Sequence, residues 1–414
     1  MEGRYSRRQF LARTGIGALA IPSIGAILAA CTKPGTGGDA SEAIPIARPD
    51  RPVQLPLNGE PIAASTPIES GATLQVYNWD DYMYKKVLKA FEDQYDCTVE
   101  WTSFNNMEEA IKKMQAGQVK PDVFFPTTDY VSRLVETDLI QPLQHELLPN
   151  MEQNVWQAYW DPGPYYDLDW RYTVPYTIYT TGVAYRRDRV TDELANERRY
   201  DLLWDSTYSG SISYYDAYRD ALGMAMVRNG DMDPNSGDET VINNAKLAIM
   251  QILNDYDGRL TTNGAYAKLP EGEFTVAQSW SGDIVGSWNY LPKGTSPDVL
   301  GYWYPLDEPG MVGNDLIVVG GESQNPRLAH EFINFFLDNK WGYMNFAEWN
   351  GYQPPLNIIN PAKLRSESWW PPGLGENAVV SEEMFRHGLE QGQLDPDADK
   401  KWLDAWNEIK AGGG

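Results

Sequence analysis

From residue 74 onward the hydrophobic and polar positions fall into alternating strand and helix patterns. Leu74-Gln75-Val76-Tyr77-Asn78-Trp79 alternates like a strand, and Met83, Val87, Leu88 and Phe91 recur near helical spacing over Met83–Tyr95. Glu100–Ser103 predicts a second strand, Met107–Ala116 a helix and Asp122–Phe125 a short buried strand. Strand, helix, strand, helix, strand with short connections predicts an α/β lobe with a mostly parallel sheet. A second lobe is expected from about Thr181 to Val312. It holds a strand at Ser211–Tyr215, helices at Arg219–Asn229 and Asn243–Tyr256, and a strand at Thr275–Ser279. An apolar strand, Asp315–Val319, and an amphipathic helix, Leu328–Asp338, follow.

Upstream the texture changes. Residues 32–72 are rich in Gly, Pro, Ala and Ser without a sustained period, which predicts a flexible tether. Before it, Ser6-Arg7-Arg8-Gln9-Phe10-Leu11 is a twin-arginine pattern followed by an apolar run from Ile16 to Ala30, too short and broken for a comfortable membrane span. The run ends in Leu28-Ala29-Ala30-Cys31, which resembles a lipobox and makes Cys31 the expected lipidated first residue of a folded, twin-arginine-exported protein. The plain alternative is a core helix that ends in cysteine.

The chain has 414 residues, enough for two or three domains, with 58 Asp+Glu against 34 Lys+Arg and a net charge of -24. Removing residues 1–31 takes four arginines from the 34 and one glutamate from the 58, leaving -27. Such an acid excess repels phosphate backbones, so nucleic acid is not an expected partner, and the membrane is reached through the lipid anchor alone. Cys97 is then the one thiol left and reads as structural. Three scattered histidines make a histidine metal site improbable, and no metal or other cofactor is expected. The chain has no phosphate-binding loop, no G-x-S-x-G elbow and no H-E-x-x-H helix. Asp231–Asn235 opens like a calcium loop but meets Ser236 where glycine is required.

Aromatic and acidic residues cluster at strand ends: Tyr77-Asn78-Trp79-Asp80-Asp81-Tyr82, Trp280-Ser281-Gly282-Asp283 and Gly313-Asn314-Asp315. Ligands of open α/β sheets bind outside strand carboxyl ends. Carboxylates beside Trp and Tyr faces suit an organic ammonium ion, because the acids replace its hydration and the rings attract it and flank its methylenes. From Leu74 to Gly412 the chain resembles the periplasmic spermidine/putrescine-binding proteins of ABC importers. The resemblance is carried by the first two clusters together with Pro121–Thr128, Val174-Pro175-Tyr176 with Thr180–Val183, Glu308-Pro309-Gly310 leading to Asp315, and Asn350–Pro355.

The resemblance implies a two-lobe periplasmic-binding-protein fold of type II, with mixed sheets and crossing hinge strands. Residues 73–179 plus 315–358 would form the first lobe, and 180–314 plus 359–414 the second. It implies a monomeric binding protein, not an enzyme, that captures a polyamine and docks on a permease. Trp79, Asp81, Tyr82 and Thr127 would line the first lobe and Asp220 the second. Trp280 would be the platform, Asp283 the carboxylate of putrescine-type members, Asp315 the hinge acid and Tyr352 a further wall. The sequence departs from the family at Asp129 (commonly Tyr), Ala217 (acidic in spermidine-type members) and Gly313 (usually a bulky aromatic), so a smaller group at Gly313 would enlarge or reshape the pocket. Plainer roles stand beside these. Asp80 or Asp81 would cap the helix near Met83, Asp129 would cap the Val131 helix, Trp280 and Tyr352 would be core aromatics, and Asp220 would pair with Arg219 at the surface. Another solute such as an oligosaccharide, a polyamine sensor and an acid-dependent hydrolase are the competing functions. Polyamine affinity should fall as pH approaches the carboxylate range.

Overall fold

The computed structural model describes residues 44–161, 163–261 and 265–412; the twin-arginine segment and Cys31 lie outside them. The strands are β1 (Thr73–Trp79), β2 (Thr98–Phe104), β3 (Val123–Phe124), β4 (Val174–Arg186), β5 (Ile212–Tyr215), β6 (Arg259–Thr261), β7 (Val276–Trp280), β8 (Leu300–Trp303), β9 (Met311–Val319) and β10 (Leu389–Glu390). They run in the order β2-β1-β3-β9-β4-β7-β5-β6, with β8 on β4 and β10 on β9.

In the first lobe β1 is parallel to both β2 and β3, as the alternating pattern predicts. Helix Lys85–Tyr95 buries Val87, Leu88 and Phe91, and helix Met107–Gln115 buries Met107, Ala110, Ile111 and Met114. Asn106 caps the second of these by accepting the Glu109 amide, which satisfies one of the free N–H groups of its first turn. In the second lobe β5 is parallel to β6 and β7.

The lobes are joined by strands that belong to both. β4 is 13 residues long. Its Val174–Thr180 half is antiparallel to β9, and its Thr181–Arg186 half is antiparallel to β7 and β8. β9 returns to the first lobe, where Val318 and Val319 pair with β3. These are the crossing hinge strands, and β10 adds a third connection, parallel to β9 at Met311 and Val312. Buried Asp122 ties β9's exit to β1: it accepts the Gln75 amide at 2.8 Å, the Ser323 hydroxyl at 2.6 Å and the Gln324 amide at 2.9 Å.

One expectation about the chain's course is corrected. Residues 44–72 are not a free tether but a strap laid on the first lobe, with Ala47, Val53 and Leu55 buried. The Val53 amide donates to the Tyr165 carbonyl at 2.8 Å, Arg171 donates to the Leu55 carbonyl at 2.7 Å, and Arg327 to the Thr66 carbonyl at 2.9 Å. An extended strap whose backbone bonds to a neighbouring surface needs no periodicity of its own, so its composition reads like a linker. In residues 359–414, Leu364, Trp370 and Val379 join the larger core cluster, which runs across the hinge and also holds Ala277, Ile284 and Tyr302 of the second lobe. Phe385 stacks on Tyr159 at 4.4 Å, and Leu394, Trp402, Trp406 and Ile409 are buried in the second lobe's own cluster.

Candidate functional site

The hinge strands bring the strand-end clusters together. Alternation along β9 turns Asp315 and Gly313 to one face and Asn314 to the other. On that first face Asp315 accepts the Tyr82 hydroxyl at 2.6 Å and the Thr177 hydroxyl at 3.3 Å. Burial pushes its pKa up to about 7 against the easing of those two bonds, and the charges of Asp220 and Asp129 push it the same way. The acid contributions identify a single electrostatic neighbourhood: Asp129 comes from the first lobe, Asp220 from the second and Asp315 from the hinge.

Asp283 sits in the first turn of helix Ser281–Gly286, directly after β7. Its carboxylate accepts Tyr215 and Tyr352 hydroxyls, each at 2.7 Å, and burial pushes its pKa up to about 6 in spite of both. Tyr215 and Trp280 stack at 4.3 Å, and Tyr82 meets Tyr352 at 4.8 Å. Gly282 makes the close approach possible, since a Cβ there would fall 2.3 Å from the Tyr352 ring. Trp280 donates its indole N–H to Asp220 at 3.0 Å; burial raises the Asp220 pKa, while this bond and the Arg219 charge lower it.

Most of the expected site residues thus converge, namely Tyr82, Asp220, Trp280, Asp283, Asp315 and Tyr352, and Thr127 joins them by a backbone bridge to Asp315. Asp81 reaches the second lobe instead of a helix end. It lies at φ 57, accepts the Tyr290 hydroxyl at 3.2 Å, and the following helix is preceded by Tyr84 with no side-chain cap. Trp79 packs on Phe104 at 4.6 Å, with its indole nitrogen buried and without a hydrogen-bond partner among the described residues. The plainer roles also change. Asp129 takes the Thr127 hydroxyl at 2.5 Å, and burial pushes its pKa up to about 6 against the pull of Arg219 and Thr127. Arg219 is not half of a surface pair: it is 7% exposed and donates to Asn235 at 2.7 Å and to the Gly392 carbonyl at 3.0 Å.

Tyr179, Tyr215, Thr177 and Arg219 were not among the expected site residues. Tyr179 pairs with Gly313 across the hinge, and a Cβ at Gly313 would meet its ring at 2.6 Å. The room left by glycine is therefore taken by Tyr179, which reshapes the pocket instead of enlarging it. Once β4 is formed, its period of two places Thr177 and Tyr179 on the cleft face, but the strand is buried on nearly every residue and shows no such period in the sequence; Tyr215, which ends the expected strand Ser211–Tyr215, was the signal that could have been read. Glu390 lies on the opposite face, registered with Val312, where burial pushes its pKa up to about 7 against bonds from Tyr165 and Asn314.

Among the described residues no group of His, Cys, Asp and Glu is arranged to hold a metal. The cleft instead offers carboxylates, phenol hydroxyls and aromatic faces. Burial holds the pKa values of Tyr82, Tyr215 and Tyr352 well above that of free tyrosine, so these hydroxyls remain donors.

The family model described as bacterial extracellular solute-binding protein matches residues 86–369. A putrescine-binding periplasmic protein of Escherichia coli is 23% identical over 354 residues, 82% of this chain and 92% of that protein. A putrescine/cadaverine-binding protein of Pseudomonas aeruginosa is 24% identical, covering 67% of this chain and 78% of its own. A structure titled as a putative spermidine/putrescine ABC transporter from Listeria monocytogenes superposes with a TM-score of 0.68 at 22% identity, covering 82% of this chain and 98% of that one. The fold is the type II periplasmic-binding-protein fold.

Proposed function

Because this chain belongs to the bacterial extracellular solute-binding proteins, a family of binding proteins and not of enzymes, we propose that it captures a polyamine of the putrescine/spermidine class for an ABC importer. One observation carries the reading. Asp283 and Asp315 are held by tyrosine hydroxyls inside a wall of aromatic rings, and among the described residues neither has a cationic side chain bonded to it. A buried carboxylate without a counter-charge is costly, and a protonated amine supplies what is missing. The polyamine-binding names of the relatives support the same chemistry. An oligosaccharide would find aromatic faces here, but it would leave both charges uncompensated.

The ligand's ammonium groups meet acids on the hinge and on both lobes, contacts available together only when the lobes are closed. Ligand therefore shifts the hinge equilibrium by its differential affinity for the closed form. The lobes in this reading are 73–179 with 315–358 and 180–314 with 359–414. Export by the twin-arginine route, lipidation at Cys31 and action as a monomer beside a permease complete the proposal. Calorimetry of the full chain with putrescine, cadaverine, spermidine, spermine and a sugar panel tests it. At least one polyamine should bind, and Asp283→Asn should weaken it tenfold or more. A folded, ligand-stripped chain that gives no heat with any polyamine would sink the reading.

A further inference from the structure

The two hinge strands are packed almost everywhere. Every residue of β4 is buried except Tyr179, and every residue of β9 is buried except Gly313. These exceptions are partners, opposite each other across the antiparallel pair. The hinge therefore keeps one window, and it opens on the cleft face, which Gly313 shares with Asp315, about 7 Å further along the strand. An aromatic ring left half-buried in the middle of an otherwise buried strand is a surface without a permanent cover.

Glycine turns that window into a floor. The Tyr179 ring lies over Gly313 so closely that a Cβ there would stand 2.6 Å from Cε2, 2.7 Å from Cζ and 2.8 Å from the hydroxyl oxygen. A glycine inside a strand marks a place where another group approaches the backbone, and here the phenol of the neighbouring strand is that group. The centre of the Tyr179 ring lies 5.7 Å from that of Tyr352 and 6.0 Å from that of Trp280, in edge-to-face contact with both. Tyr352 in turn meets Tyr82 at 4.8 Å, and Trp280 stacks on Tyr215 at 4.3 Å, so the rings form a continuous belt with Tyr179 at its middle. The rest of the belt holds the acids: Tyr82 donates to Asp315, while Tyr215 and Tyr352 donate to Asp283.

We propose that Tyr179 is a ligand-contacting residue: its ring, laid on Gly313, is the floor on which the methylene chain of a polyamine rests while ammonium groups meet Asp283 and Asp315. This rests on the polyamine reading and deepens it. The role belongs to the ring and not to the hydroxyl, because an aromatic face covers methylenes and attracts a neighbouring ammonium through its quadrupole. The ring's position depends on Gly313. A methyl group at that position drives the ring off the strand and into the space the chain would occupy.

Calorimetric titration of the full chain with putrescine, cadaverine and spermidine tests the floor, with ligand-free melting to show that each variant is folded. Tyr179→Phe should stay within about threefold of the parent's affinity, and Tyr179→Ala should lose at least tenfold. Gly313→Ala should lose about tenfold in the parent but nothing further in the Tyr179→Ala background, since the ring it displaces is then gone. Parental affinity in Tyr179→Ala, a tenfold loss in Tyr179→Phe, or additive losses in the double variant would each overturn the proposal. Where Tyr179→Ala does not fold, Gly313→Ala decides, and parental affinity there overturns it as well. A parent chain that binds none of the amines would instead defeat the polyamine reading itself, so the two failures are distinguishable.

Discussion

Burial of Asp315 and Asp283 works against the stability of the ligand-free fold. Their pKa values stand at about 7 and about 6, above the ordinary 3.8, because burial disfavours the charged forms. The native chain then holds more protons than the unfolded one between those limits. These groups therefore withdraw stability as pH rises from about 4 to about 7. An ammonium ligand demands the ionised carboxylates, so it must displace protons below pH 7. Affinity should rise from pH 5 to about 7 and then level off, a window well above that of ordinary carboxylates. Calorimetry at pH 6 in two buffers of different ionisation enthalpy should give different heats, and equal heats would refute proton release. Asp315→Asn should raise the ligand-free melting temperature at pH 8, by about 2 °C or more, and lose at least tenfold in affinity. These two acids were legible in the sequence because each ends or opens an apolar strand beside aromatic residues. Arg219 was not, because it adjoins Asp220 and suggested a pair; consecutive helical side chains do not face each other, and the partners of Arg219 come from residues 235, 392 and 402. Cys97 is the simpler case: burial and the nearby Glu92 charge push its thiol up to about 11, in keeping with a structural role.

Elements with a clear period were readable, and those that take their partners from elsewhere were not. The β1 to β3 region and its two helices carry their own stripes of apolar residues. β4 offers no such signal. It is buried on nearly every residue, is interrupted by Pro175, and carries Thr177, Thr180 and Thr181, whose side chains are buried by the hinge. The strap before β1 hides for a related reason, since its backbone donors and acceptors are satisfied by the first lobe. Leu55→Ala distinguishes strap from tether. Leu55 is fully buried, so the substitution should cost about 2–4 kcal/mol of unfolding free energy, measured by denaturant titration. A loss near zero would return the segment to the status of a linker.

At the scale of the molecule, the described arrangement is a closed one. Tyr290 of the second lobe bonds to Asp81 of the first, and Tyr352 bonds to Asp283. The two-lobe architecture followed from the alternation and the family resemblance, whereas the degree of closure depends on contacts between residues 209 and 69 positions apart, which no local pattern encodes. Gly282→Ala should hinder closure by driving a methyl group into the Tyr352 ring. In small-angle scattering the parent chain should contract on adding its amine and the variant should not. Contraction of both to the same radius would show that the Gly282 contact does not limit closure.

The strap has a mechanical consequence. Its backbone and side-chain bonds, from Ile44 on Glu136 to Arg327 on Thr66, run to first-lobe residues. The proposed anchor at Cys31 would therefore grip one jaw and leave the other to swing. Under that proposal the first lobe is the stationary jaw, and the surface that would travel when a ligand is caught is the outer side of the second, along helices Tyr218–Arg228 and Glu239–Asp255.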